Sequence, residues 1–186
     1  MLARVEDAMM ERTQTVVGEH VQVIEDLPGR WDERTLRAAL RRVPGIYIAW
    51  SGARQAARES QQPEAVARYV AYVVTGHASG ERERRRGNQR QVGAYELIQR
   101  LVPGLHGLTV QGIGTLAFRS IENLYSDRFD KEGVVVYGIE YHMGMTFPPA
   151  FDAADLAPFE TYHATHRVGD DQTPDAYDQV SLPQED

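Results

Sequence analysis

Leu2, Val5, Met9, Thr13 and Val16 recur at three- and four-residue steps, while Arg4, Glu6, Asp7, Glu11 and Arg12 fall off that stripe. The spacing predicts an amphipathic helix over residues 2–17, with Gly18 as its C-cap. Val21, Val23 and Ile24 then suggest a short strand, broken by Leu27-Pro28-Gly29. Asp32 is placed to cap a short helix carrying Leu36, Ala39 and Leu40. Ile46 to Trp50 follows as a buried strand, bounded by Pro44-Gly45 before it and Ser51-Gly52 after it. The polar, Gln-rich stretch 53–64 predicts a loop, and Val66 to Thr75 a second strong strand.

After Gly76 comes the most polar run of the chain, Glu81 to Arg90, expected as a solvated loop between a strand and a helix. That helix is predicted over Gly93 to Val102, with Tyr95, Leu97, Ile98 and Leu101 free to pack and Pro103-Gly104 as its stop. A glycine-punctuated connection, Leu105 to Gly114, leads into strands at Leu116–Tyr125 and Gly133–Phe147, joined by the turn Ser126–Glu132. In the last strand the odd positions Val135, Tyr137, Ile139, Tyr141, Met143, Met145 and Phe147 are all apolar or aromatic. The even positions pass from Val134 and Val136 through Gly138 to Glu140, His142, Gly144 and Thr146. A period of two with these two faces predicts a long strand, buried on one side and turning polar toward its end on the other. The sum is an α+β fold: a mainly antiparallel sheet of about four strands with two or three helices packed on it. Beyond Pro148-Pro149 the periodicity fades, so 1–147 is expected as the folded domain and 148–186 as an acidic arm or tail.

Charge sharpens that division. The chain has 186 residues and a formal charge of −7. Residues 148–186 hold nine acidic side chains against Arg167 alone, so the acidity belongs to the arm and the preceding body is nearly neutral. Lys131 is the one lysine, every other cation being arginine. Overall acidity argues against a dedicated nucleic-acid binder, which ordinarily carries a basic face. With Cys 0, disulfides, zinc-thiolate sites and cysteine nucleophiles are excluded. No apolar run approaches the about 18 residues that span a bilayer, and no signal-peptide pattern opens the chain. A soluble, cytoplasmic protein is expected, without a membrane partner.

Candidate chemistry is sparse. His163 and His166 form a His-x-x-His pair that a helix would place on one face, with Asp170 and Asp171 near enough to complete a ligand set. That would make a metal hydrolase, but the pair lacks the glutamate of the His-Glu-x-x-His pattern, and exposed tail histidines are the plainer reading. Ser51 and Ser120 lack a nucleophile elbow. Gly112-Ile113-Gly114 offers two glycines of a dinucleotide loop, but a strand follows it rather than a helix. No catalytic set and no cofactor is therefore expected. Arg82, Arg84, Arg85, Arg86 and Arg90, interleaved with two glutamates, suit either a solvated loop or a protein interface using bidentate guanidinium forks. Binding of nucleic acid by these arginines ranks third, since no aromatic stacking platform accompanies them.

Gly93-Ala94-Tyr95-Glu96-Leu97-Ile98, then Leu101, then Leu105-His106-Gly107-Leu108, resembles the core of a Mu-like phage tail protein family. Pro44 to Gly52 is similar to that family's first strand, and Val5–Met9 and Val134–Ile139 also match, so the resemblance runs in order over residues 2–147. The family resembles tail terminator or tail completion proteins of contractile-tailed phages. The resemblance implies a small α+β subunit without catalysis, forming a hexameric ring on the head-proximal end of the tail tube. Its implied partners are the tail tube protein, the sheath protein and the neck or head-connector protein, with genomic DNA only passing through the lumen. It implies a place in the virion, with assembly in the host cytoplasm. A head–tail joining subunit of the neck fits the same small layout, and the arm lies beyond the resemblance.

Overall fold

Val5, Met9, Thr13 and Val17 are fully buried along one side of the first helix, α1 (Leu2–Val17), which is the stripe the sequence predicts with Val17 in place of Val16. Gly18 is its C-cap, as expected, with its N–H on Gln14 O, but in the right-handed rather than the left-handed conformation. At φ −54° and ψ −34° it carries the chain on into a 3-10 turn, Gly18–His20. The computed structural model describes residues 1–27, 42–56, 62–76, 80–89, 91–124, 129 and 133–149, and the backbone of 161–166 and 176–181. The helix expected after Asp32, the middle of the loop at 53–64 and most of the turn at 126–132 lie outside the described residues. Contacts divide the chain into two units, Met1–Pro148 and Pro149–Asp186.

In the first unit, strands β1 (Val23–Asp26), β2 (Gly45–Gln55), β3 (Glu64–Gly76), β5 (Gly114–Asn123) and β6 (Val134–Thr146) form one sheet in the order β1-β2-β3-β6-β5. The two-residue β4 (Thr109–Val110) extends it beyond β5. Only β1 and β2 run parallel, and the remaining pairs are antiparallel. The fold is thus α+β and mainly antiparallel as expected, with one more full strand than the about four predicted.

Helices α1, α2 (Glu81–Arg86) and α3 (Ala94–Leu105) complete this unit among the described residues. Ala94, Leu97, Ile98, Leu101 and Leu105 of α3 pack with the α1 stripe on Ile46, Ile48, Tyr69, Val73, Ile139 and Tyr141 of the sheet. At about 25 cal/mol per Å2 of apolar surface removed from water, this layer is the main source of stability. Two corrections concern punctuation. Pro103-Gly104 does not stop α3, because Pro103 lies in the last turn, where its missing N–H forfeits one bond. His106 N–H closes that turn on Val102 O at 3.1 Å, and Leu105 is buried beneath it. Gly104 is where α1 crosses: a Cβ there would lie 2.8 Å from Val16 Cγ2.

Likewise Ser51-Gly52 does not end β2. The strand passes through a bulge between Trp50 and Ala53, with Gly52 at φ +102°, and Ala53, Arg54 and Gln55 then pair with Ala67, Val66 and Ala65. A bulge adds residues to one strand and resumes the ladder beyond them. In β6 the alternation holds: Val135, Tyr137, Ile139, Tyr141, Met143 and Met145 are all buried on the helix side. On the opposite face Val134 and Val136 join Val23, Leu27, Tyr47, Ala49 and Val74 in a smaller core, whereas Glu140 and His142 are half-buried and Gly144 exposed. That second face is apolar at one end and polar at the other. In the unit Pro149–Asp186, where a tail without periodicity was expected, β7 (Thr161–His166) and β8 (Ala176–Ser181) pair antiparallel, Thr161 opposite Ser181 and His166 opposite Ala176.

Candidate interaction surface

Glu81-Arg82-Glu83-Arg84-Arg85-Arg86 is a helix, not the solvated loop its polarity suggests. Glu and Arg are good helix formers. Acids fill its first turn and arginines its last, as the helix dipole favours. Glu81 Oε1 meets Arg85 Nε at 3.4 Å across one turn. Gly80 and Gly87, at φ +129° and +74°, delimit it. The buried Thr75 hydroxyl donates to Arg84 O at 2.7 Å, and Gln91 Nε2 donates to Gly76 O at 3.0 Å. The first bond moors α2, and the second the turn that follows it, to the end of β3. On its other side the backbone at Gly87 presses on Gly93, where a Cβ would stand 2.1 Å from Gly87 N. The pair of glycines lets α2 and the start of α3 meet backbone to backbone.

The arginines are not equivalent. Arg84 lies against Gly133 of the turn before β6. Arg85 Nη1 donates to the Tyr95 hydroxyl at 3.3 Å. Arg82 and Arg86 are exposed and have no ion pair among the described residues. Arg90 lies outside the described residues. Tyr95, expected to pack inward, is 38% exposed; its ring stands edge-on to Tyr137, centroids 6.0 Å apart. A hydrogen bond from Tyr137 and then the Arg85 guanidinium hold the Tyr95 phenol below its usual range. Burial pushes Tyr137 up to about 12. The result is an anchored cationic patch with two exposed forks, Arg82 and Arg86, that make no ion pair among the described residues, beside an exposed aromatic ring. Arginine and tyrosine are the side chains most enriched among energetically dominant interface residues, and guanidinium forks match carboxylates. Tyr95 was missed because its place in a helical pattern reads as core, although its opening-turn position next to an Arg run was the available signal.

The other candidates separate from this patch. His163 and His166 lie on β7, so the helical spacing that would bring them to one face does not apply, and Asp170 and Asp171 are outside the described residues. Gly112-Ile113-Gly114 is a hairpin corner: Gly112 has φ +75°, Ile113 N–H donates to Val110 O at 3.0 Å, and Gly114 opens β5. Ser120 sits beside a bulge of β5, opposite Glu140.

A model of the family described as bacteriophage Mu, Gp37 matches residues 1–146. The "Mu-like prophage FluMu protein gp37" of Haemophilus influenzae is 26% identical over 184 residues, taking in 98% of this chain and 90% of the relative. The "Probable tail terminator protein" of Escherichia phage Mu is 25% identical over 185 residues, taking in 100% of this chain and 96% of the relative. A chain from a solved structure described as "Virion of native gene transfer agent (GTA) particle" aligns at a TM-score of 0.45 and 14% identity, over 76% of this chain and 94% of that one. With the match spanning α1 through β6, the chain belongs to the bacteriophage Mu Gp37 family.

Proposed function

We propose that this protein is the tail terminator of a Mu-like phage tail, a structural rather than catalytic subunit. The observation that carries the reading is the end-to-end match to a phage Mu relative named for that role. Residues 1–147 are the terminator-like domain and 148–186 an acidic arm. Six copies close into a ring on the head-proximal end of the tail tube, stop its growth and present a platform to the neck or head connector. A closed ring needs two unlike surfaces on each subunit. The patch of Arg82, Arg84, Arg85 and Arg86, with Arg90 beyond it, is one of them, meeting carboxylates on the adjacent subunit or on the tube or sheath ring.

The test is the mass of the purified protein by native mass spectrometry, alone and with tail-tube protein. A species about six times 20.9 kDa, or a ring that forms on tube ends and arrests their elongation, is expected. Binding to connector protein with no effect on tube growth would make it a neck subunit instead. Reversing Arg82 and Arg86 to Glu is expected to abolish the ring while leaving the helical circular dichroism unchanged, since both side chains point into solvent. Ring formation and tube capping that survive the reversal would remove the patch from the interface.

A further inference from the structure

Where the second face of the sheet turns polar, Ser51, Arg54, Val66, Arg68 and His142 line an open trough of about 310 Å3. The β2 bulge forms one wall, and register sets Arg54 opposite Val66 and Arg68 opposite His142. Its electrostatics are unbalanced. His142 Nε2 donates to Glu140 Oε1 at 2.6 Å. Arg68 reaches the other oxygen of Glu140 only at 3.9 Å, and its side chain stays 50% exposed. Arg54 is exposed without an ion pair among the described residues. No carboxylate is among the described residues lining this compartment. Glu122 and Glu140 line a smaller one of about 150 Å3 that continues from it past Ser51 and Arg68.

We infer that this trough is a second docking site, distinct from the α2 patch, and that it receives the acidic segment 149–186 of a second copy of the chain. Two guanidinium groups with one loosely shared carboxylate call for further carboxylates. A nucleic-acid backbone is a poor fit, because it carries a phosphate at every step and would set some of them against Glu122 and Glu140, whereas the acids of 149–186 are spaced by neutral residues that can lie there. The acidic partner need not be sought elsewhere, since residues 149–186 carry nine acidic side chains against one arginine. Each copy brings one trough and one acidic segment, which makes the contact heterologous, the kind that closes rings. The inference rests on the ring proposed above and adds a second charge pair to its closure, beside the α2 patch.

The experiment uses the 186-residue protein without tube protein. A photo-reactive benzoylphenylalanine replaces Ala53, an exposed residue at the rim of the trough, in isotopically light chains mixed with heavy ones. Illumination is expected to join light position 53 to heavy peptides from 149–186. Arg54→Glu with Arg68→Glu should lower the yield at least tenfold, and Arg54→Lys with Arg68→Lys should restore most of it. Crosslinks confined to one chain, crosslinks to any other segment, or none at all would overturn the inference. Competition by short duplex DNA but not by a poly-glutamate peptide would overturn it in favour of nucleic acid. A chain that caps tubes yet gives no such crosslinks refutes this site alone; one that gives them but never caps tubes refutes the terminator reading alone.

Discussion

Tyr69 and Tyr141 face each other across β3 and β6, both fully buried, yet their hydroxyls have different fates. Tyr141 donates to Leu101 O of α3 at 2.9 Å, tying the helix to the sheet. The Tyr69 hydroxyl has no partner among the described residues. A satisfied buried hydrogen bond contributes about 1 kcal/mol net, whereas an unsatisfied group carries a desolvation cost. Tyr141→Phe is therefore expected to destabilise by about 1 kcal/mol, and Tyr69→Phe to be neutral or stabilising. Urea midpoints of the two variants check this; equal losses would mean that the Leu101 bond makes no difference. Glu6 adds a pH dependence. Burial raises its carboxyl above the ordinary 4.5, opposed by the hydrogen bond from Trp50 N–H and assisted by Asp26 and Asp7. A raised folded value means that the folded state holds the proton more tightly. That contribution is full below pH 4.5 and disappears as the pH climbs through the folded value. Glu6→Gln, which can still accept the Trp50 bond, should gain stability over the parent as the pH passes through this window and match it below.

At the scale of elements, the glycines make the sharpest contrasts. A Cβ on Gly93 would collide with backbone at Gly87 N, Arg86 C and Arg85 O, none of which can rotate away. Gly93→Ala is expected to cost about 1–3 kcal/mol by overpacking and to loosen α2, seen as faster amide exchange at Arg84 and Gly87. Gly144→Ala, with nothing within 4 Å, should leave the thermal midpoint unchanged. The same junction has an optical signature. Tyr95 should be the first of the Tyr95–Tyr137 pair to ionise on alkaline titration, before Tyr137 at about 12. Arg85→Ala should move that first phenolate step upward, and an unmoved step would mean that the guanidinium does not act on the ring.

These elements also show what the chain's pattern could and could not disclose. The faces of β6 and the stripe of α1 were legible because burial imposes periods of two and near four on apolar side chains. α2 was not, since it buries no side chain and is held by Thr75, Gln91 and two glycines that leave no periodic mark. The run of β2 past Gly52 and of α3 past Pro103 was lost for a related reason. Gly and Pro are read as stops from local preference, while a bulge or a final turn is decided by what pairs with it. Of the candidate surface, the arginines were visible as a charge run, but their division into moored Arg84 and Arg85 and exposed Arg82 and Arg86 exists only in three dimensions.

For the whole molecule, the decisive feature is that folding and assembly draw on different forces. Among the described residues no charged side chain is buried, and the buried polar atoms are hydroxyls such as those of Thr13, Thr75, Tyr69 and Tyr141, so the core owes almost nothing to charge. The charges are sorted instead onto surfaces: the α2 patch and the trough on a near-neutral body, and the acids in residues 148–186. Salt should therefore separate the two processes. Raising ionic strength from 0.1 to 1 M shortens the screening length from about 10 Å to about 3 Å, less than the reach of exposed guanidinium–carboxylate pairs. The ring is expected to dissociate toward single chains over that range, while the urea midpoint of the dissociated chain, measured at the same salt concentrations, barely moves. Native mass or light scattering at graded sodium chloride reads the first, and tryptophan fluorescence the second. A ring indifferent to salt would move the interface to the exposed apolar side chains Trp50 on β2 and Ile121 on β5, 37% and 44% accessible. The arginines would then serve to steer subunits together rather than to hold them, and reversing Arg82 and Arg86 would slow assembly without changing the mass finally reached.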